Sequence, residues 1–247
     1  MVAVVIGASG GIGAALFAAL EDRLGTGAVI GVSRNGAQGL GSDPFPGLDL
    51  EREESIAAFA KSLEQALDGR ALSLVINACG ALEVSRASRS GAGTTVHGPE
   101  KRLKDLEPAY FDALFRINAI GPALLIKHLT PLLRRRARAV MVHLSARVGS
   151  ISDNALGGWY AYRASKAALN QIVRTASIEL KRTHPQLVLA ALHPGTVDTG
   201  LSGGFQKTGL DVQTPDEAAT RLLSVIDGLQ PDQTGGFLDH MGRTIPW

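Results

Sequence analysis

One cysteine, Cys79, stands among 247 residues, so an internal disulfide and a thiolate cage for zinc are both excluded. The six histidines are scattered without ligand spacing, and no metal site is expected. No charge of one sign dominates: 25 basic residues face 23 acidic ones, which implies neither a polyanion nor a membrane surface as partner. The start, "MVAVVIGASGG", lacks a basic leader, and its apolar run is too short for a signal peptide. No stretch approaches the roughly 20 apolar residues of a membrane span. These absences leave a soluble cytoplasmic protein as the expectation. Apolar residues make up 45% of the chain, enough for a sizeable core.

What is present is alternation. Apolar runs at 2–6, 28–33, 45–50, 72–78, 139–145, 186–195 and 235–240 read as strands. Between them, helical spacing links Ile12, Leu16, Leu20 and Leu24, then Ile56, Phe59, Leu63 and Leu67. A helix is expected over 109–134, and another through "YRASKAALNQIVRTASIEL". A last one opens at Thr214-Pro215, with proline suited to the first turn. Residues 81–108 form a weakly patterned connection carrying Arg86, Arg89, His97 and Lys101, read as a mobile substrate-side flap or a surface loop. Strands alternating with helices predict an α/β fold: one doubly wound, Rossmann-type domain over 1–247, with a mostly parallel sheet of seven strands and helices on both faces. Ligands in such folds bind beyond the carboxyl ends of the strands.

The first strand runs into "GASGGIG", with glycines at 7, 10, 11 and 13. A strand feeding directly into a helix turns backbone N–H groups and the positive end of the helix toward a pyrophosphate. The spacing G-x-x-x-G-x-G differs from the G-x-G-x-x-G dinucleotide fingerprint, but the context predicts dinucleotide binding. The second strand ends in Ser33 and Arg34, where NAD binders carry an acid for the ribose 2′-hydroxyl. A guanidinium there suits a 2′-phosphate, so NADP(H) is expected in preference to NAD(H).

"GGWYAYRASKAALN" at 157–170 holds two tyrosines and one lysine. Tyr162 and Lys166 are four apart and share a helical face; Tyr160 and Lys166 are six apart and do not. A phenol with a pKa of about 10 becomes an acid/base near neutrality if a cation lowers that value. Asn77, Asn118, Ser145 and the turn from Pro194 to Thr199 all fall at the same expected sheet edge.

With these residues in place, the chain resembles the short-chain dehydrogenase/reductase family over almost its whole length. "GSISDNALGGWYAYRASKAALN" and "GGFLDHMGRTIPW" are similar to its C-factor-like and Sniffer-like carbonyl reductases. The resemblance implies that Gly7, Ser9, Gly11, Ile12 and Gly13 wrap the pyrophosphate. It puts Asp49 and Leu50 beside the adenine, and Asn77, Ala78 and Gly80 along the ribose side. Tyr162 is implied as proton donor to a substrate carbonyl. Lys166 is implied to bind the nicotinamide ribose and acidify Tyr162, and Asn118 to hold a relay water. Pro194, Gly195, Val197 and Thr199 are implied to fix the nicotinamide.

One departure stands out. The family reads Ser-Ser where this chain has Ser145-Ala146, and the second serine is the catalytic one. Ser145 is the expected catalytic hydroxyl; otherwise Ser150 or Ser152 supplies it, or the site works without one. The basic run Arg134, Arg135, Arg136 and Arg138 reads as the solvated end of a helix, not a nucleic-acid site. Cys79 reads as a small core residue, His193 as structural or cofactor-side, and Trp159 and Tyr160 as pocket wall or interface. The expected activity is interconversion of a small-molecule carbonyl and a secondary alcohol. The expected assembly is a homodimer or homotetramer. The alternative is a non-catalytic dinucleotide-binding regulator; a sugar-nucleotide epimerase shares Tyr-x-x-x-Lys but needs a larger carboxyl-terminal region.

Overall fold

The computed structural model describes residues 1–39, 45–87, 94–200 and 211–247. Arg89 of the expected flap lies outside them. In chain order the elements are β1 (Ala3–Ile6), α1 (Gly11–Leu24), β2 (Val29–Ser33), β3 (Gly36–Gln38), α2 (Glu53–Leu67), β4 (Leu74–Asn77), β5 (Val84–Ala87) and β6 (Thr94–His97). There follow α3 (Pro108–Phe115), α4 (Gly121–Leu129), β7 (Ala139–Leu144), α5 (Tyr160–Leu180), β8 (Leu187–His193), β9 (Thr196–Val197), β10 (Val212–Gln213), α6 (Pro215–Gly228) and β11 (Phe237–Asp239).

Seven strands form one sheet in the order β11-β8-β7-β4-β1-β2-β3, parallel except for the antiparallel pair β2 and β3. Strand residues alternate between its faces, as the two-residue period requires. Val4, Ile6, Met141 and Leu189 join Phe59, Leu125, Leu169 and Val173 of α2, α4 and α5 on one side. Val5, Val142 and Leu192 join Leu16, Leu20, Leu222 and Ile226 of α1 and α6 on the other. Both faces are therefore covered, which is why the central strands read as continuous apolar runs.

The expected strand at 45–50 is not one. Pro46 has no N–H to donate, and a Cβ at Gly47 would overlap the carbonyl of Arg34. Leu48 N–H reaches Ser33 O at 2.9 Å, while Phe45, Leu48 and Leu50 are buried. The sheet edge belongs instead to β3, a three-residue antiparallel strand.

The expected helix over 109–134 is composite. A π-helical segment, Arg116–Ile120, separates α3 from α4, and a 3-10 turn, Thr130–Leu132, follows. The run Pro108–Leu132 has the length and apolarity of a membrane span, but half of its most apolar stretch is buried against the rest of the fold. Core burial accounts for that composition. The 81–108 connection contains the β5–β6 hairpin. At α6 the sequence signal holds: Thr214 Oγ1 accepts from Glu217 N–H at 3.2 Å, and the Glu217 carboxylate accepts from Thr214 N–H at 2.8 Å.

Candidate active site

The glycine loop is shaped by close approach. Gly7 has φ 89°, a left-handed conformation natural to glycine. A Cβ at Gly13 would overlap the Gly7 carbonyl oxygen, and one at Gly7 would lie 2.9 Å from Cys79 Sγ. The N–H groups of Gly7 and Ala8 both donate to Val32 O, at 2.8 and 3.1 Å, tying the loop to β2. Gly10 caps α1 with no side chain, and the first turn carries no acid. Ser9, Gly10 and Gly11 are exposed, so the N–H groups that lack helical acceptors face outward with the positive helix end. Thr199 Cγ2 closes the other side, 2.9 Å from where a Cβ of Gly11 would stand. This donor set fits the pyrophosphate of a dinucleotide.

At the end of β2, Ser33 Oγ is engaged locally, donating to Gly36 O and accepting from Asn35 N–H, both at 3.3 Å. Arg34 is exposed, and its charge reaches Cys79 behind the glycine loop. Asp49 Oδ1 accepts from Glu51 N–H at 3.0 Å, while Leu50 is buried against Gly121 of α4.

Asn77 ends β4 with its amide buried. Its Oδ1 accepts from Cys79 N–H at 3.1 Å, and its Nδ2 lies 3.2 Å from His143 Nδ1. Burial first, then the Lys166 charge, holds His143 down to about 3, so the ring is neutral, with Nδ1 as acceptor and the proton on Nε2. Ala78 packs partly buried on the α1 side of the sheet. Gly80 keeps the edge open: a Cβ there would lie 3.3 Å from Lys166 Nζ and 3.6 Å from Asn118 Oδ1.

Asn118 sits in the π segment, a helical irregularity that recurs at functional sites. Its Oδ1 accepts from Ala81 N–H at 2.9 Å, and its Nδ2 donates to Ala81 O at 2.8 Å and Ser165 Oγ at 3.1 Å. Ser165 Oγ in turn donates to Tyr162 O at 2.8 Å. The side chain thus bridges the post-β4 loop to the turn of α5 that carries Tyr162.

Tyr162 and Lys166 are both buried, 7% and 3% exposed, with Nζ 5.9 Å from the phenol ring centre. Nζ donates to Leu144 O at 2.9 Å. The expected acidification of Tyr162 is absent in the chain by itself. Burial pushes the phenol up instead, and burial brings the Lys166 ammonium down to about 8. Desolvation outweighs the attraction between the two groups because neither retains water around its charged form.

The three candidate serines are engaged elsewhere. Ser145 Oγ donates to Asn170 Oδ1 at 2.7 Å, Ser150 Oγ to Pro246 O at 2.6 Å, and Ser152 Oγ to Trp247 O. Ala146 packs partly buried against the apolar cluster of Tyr162, Tyr110, Leu114 and Ala161. Asn170 escaped the sequence reading, although Tyr162, Lys166 and Asn170 form one stripe at four-residue spacing. Gln213 also escaped it. Its Nε2 donates to Pro194 O at 3.3 Å, and a Cβ on Gly195, at φ 83°, would overlap it. Nothing in its local sequence marks it. Val197 is buried within the short β9–β10 pair.

The architecture recurs in known proteins. The sequence pattern of the short chain dehydrogenase family matches residues 1–209. "C-signal" of Myxococcus xanthus is 40% identical over 147 residues, 59% of this chain and 83% of that protein. The "1-hydroxy-2-glutathionyl-2-methyl-3-butene dehydrogenase" of Rhodococcus is 30% identical over 245 residues, 98% of each chain. An NADPH-bound carbonyl reductase from chicken fatty liver superposes with a TM-score of 0.79 at 26% identity, covering 100% of this chain and 98% of its own. With a matching pattern over most of its length and a relative matched almost end to end, this chain belongs to the short-chain dehydrogenase family of oxidoreductases.

Proposed function

We propose that the protein interconverts a carbonyl compound and a secondary alcohol with NADP(H) in preference to NAD(H), using Tyr162 as general acid and base. The observation that carries this reading is a buried phenol whose raised pKa keeps it protonated at neutral pH, beside the Lys166 ammonium at the carboxyl edge of the sheet. A nicotinamide dinucleotide along the glycine loop supplies the hydride. Tyr162 gives its proton to the substrate oxygen, and the nearby ammonium offsets the phenolate charge that results. Gly7, Ser9, Gly11, Ile12 and Gly13 hold the pyrophosphate, Ser33 and Arg34 the 2′-phosphate, and Asp49 and Leu50 the adenine. Asn77, Ala78 and Gly80 border the ribose, and Pro194, Val197 and Thr199 the nicotinamide. Further support comes from the NADPH in the chicken enzyme and from a Burkholderia multivorans short-chain dehydrogenase/reductase with bound NADP.

The same reading makes the protein a cytoplasmic, single-domain enzyme of small molecules, with neither nucleic acid nor membrane as partner. Self-association into a homodimer or homotetramer is supported by a groove of about 790 Å3 between α4 and α5, lined by Ala123, Ile126, Ile172, Ala176 and Leu180. This groove lies away from Tyr162.

The test follows NADPH absorbance with a panel of aldehydes, ketones and quinones. Wild type is expected to turn over and Tyr162→Phe to lose about 100-fold or more. Full activity in Tyr162→Phe rejects the assignment. Ala146, together with the three engaged serines, favours one second reading, a dinucleotide-binding regulator. NADPH binding without turnover across the panel selects that alternative.

A further inference from the structure

The helix that carries Tyr162 begins from a contorted turn. Gly157, Gly158 and Trp159 are successively left-handed, with φ of 64°, 66° and 54°. Glycine adopts this conformation freely, but a tryptophan does not, so the surroundings must hold Trp159 there. Trp159 is also the N-cap of α5, and no side-chain cap is made from that position. Arg163 braces the turn from inside, with Nε to Gly158 O at 3.0 Å, Nη2 to Gly157 O at 3.2 Å and Nη1 to Val148 O at 3.3 Å.

The outer brace comes from Glu100, beyond β6 and 61 residues away from Ala161 in sequence. Glu100 is 5% exposed. Its backbone carbonyl accepts the Trp159 N–H at 2.6 Å, and its two carboxylate oxygens share the Ala161 N–H at 3.3 and 3.4 Å. One residue therefore grips the chain on both sides of Tyr160 and supplies the missing cap with a negative charge at the positive end of the helix. A Cβ on Gly158 would lie 3.6 Å from Glu100 O, so the two segments pack in direct contact. The Trp159 ring meets the Tyr162 ring edge-on, with centres 6.2 Å apart and planes at 68°.

We propose that Glu100 is a positioning residue for Tyr162. It fixes the first turn of α5 and the Trp159 ring, and through them the direction in which the phenol hydroxyl points. This rests on the reading of Tyr162 as the proton donor.

The test compares Glu100→Ala, Glu100→Gln and Glu100→Asp with wild type in kcat, KM, NADPH affinity and Tm. Glu100→Ala is expected to lower kcat about tenfold while NADPH affinity stays within about twofold. Glu100→Gln, which keeps an acceptor oxygen at the same reach, is expected to recover kcat to within about threefold of wild type. Wild-type kcat in Glu100→Ala overturns the proposal. So do equal losses in the alanine and glutamine variants, or a parallel fall of kcat, NADPH affinity and Tm. If Glu100→Ala does not fold, Glu100→Asp carries the test. It keeps the charge but withdraws the oxygens by one methylene, and wild-type kcat in it is again fatal.

A readout without substrate separates this proposal from the function assigned above. The Ala161 amide is expected to exchange its hydrogen at least tenfold faster in Glu100→Ala or Glu100→Asp, and unchanged exchange overturns the anchoring itself. Full turnover in Tyr162→Phe, with accelerated exchange at Ala161, instead overturns the role of the tyrosine and leaves Glu100 as an anchor of the helix alone.

Discussion

Lys166 Nζ donates to the carbonyl of Leu144 at 2.9 Å and stands 5.9 Å from the centre of the Tyr162 ring. The ammonium is held by the strand end and faces the phenol across one helical turn. Burial lowers it from 10.5 to about 8. The phenol is shifted the other way by the same cause. The pair is therefore a protonated acid beside a cation that is itself near its limit.

This fixes the sign of a pH effect. Below about pH 8 Lys166 is charged; as pH rises through that value it becomes neutral and no longer offsets a phenolate. Reductive turnover is expected to fall above about pH 8, with a single alkaline limb. Lys166→Arg, whose guanidinium stays charged throughout, is expected to be slower but to lose that limb. A pH profile of NADPH oxidation checks both, and a limb that persists in the arginine variant assigns it to another group.

The proposed preference for NADP(H) rests on Arg34. No carboxylate stands between Ser33 and Gln38, and Arg34 is exposed at the end of β2, within electrostatic reach of the Cys79 segment. Arg34→Asp replaces a donor to a 2′-phosphate by an acceptor for a 2′-hydroxyl. The ratio of kcat/KM for NADPH over NADH is expected to drop at least about tenfold, the scale of one charge-assisted hydrogen bond. An unchanged ratio places the phosphate elsewhere.

These expectations were open to a sequence reading because they depend on local spacing. Gly7 and Gly13 are fixed by one strand-turn-helix, and Tyr162 and Lys166 by one helical turn. The misses share the opposite property. Residues 45–50 carry strand-like apolar residues, but Pro46 and the contact of Gly47 with Arg34 prevent a ladder. At the break around Asn118, its side chain bonds to Ala81 and Ser165, across 37 and 47 residues of sequence. Glu100 caps a helix 61 residues away. The upward shift of Tyr162 in the chain by itself escaped the sequence for a related reason: spacing reports which groups are neighbours but not how deeply they are buried.

Acid stability follows from one buried and one partly buried histidine. His143 is fully buried and shifted down to about 3, and His193 to about 4, chiefly by burial, with neighbouring cations adding to it. As pH falls below about 6.5, both imidazoles take up protons in the unfolded chain but not in the folded one. Their contribution to stability is present above about 6.5 and is lost as pH falls toward those folded values, by about 1.4 kcal/mol per pH unit for each histidine. The unfolding free energy is expected to decline from pH 6.5 to 4.5, and His143→Gln to show a shallower decline. Denaturant titrations at several pH values provide the measurement. An equal slope in the variant rules out His143 as a source of the acid sensitivity.

The last prediction concerns a group the site lacks. Ser145 gives its hydrogen to Asn170, Ser150 to Pro246 and Ser152 to Trp247, while Ala146 places a methyl group against the Tyr162 cluster. In the proposed reaction, a carbonyl reaching Tyr162 would meet one hydroxyl donor where the family pattern implies two. Removing a preorganised donor from an enzyme that has one costs on the order of 100-fold or more in kcat. Adding one to a pocket that did not evolve around it should recover part of that. Ala146→Ser is expected to raise kcat about tenfold and leave NADPH affinity unchanged, because Ala146 packs in the Tyr162 cluster and not in the glycine loop. Ser145→Ala is expected to lose about 1 kcal/mol of stability with its buried bond to Asn170 and to change kcat less than about threefold. Steady-state kinetics on the two variants separate the possibilities. A large loss in Ser145→Ala makes Ser145 the working hydroxyl despite its bond to Asn170. A slower Ala146→Ser shows that this pocket is built around the methyl group, and that the phenol alone polarises its substrate.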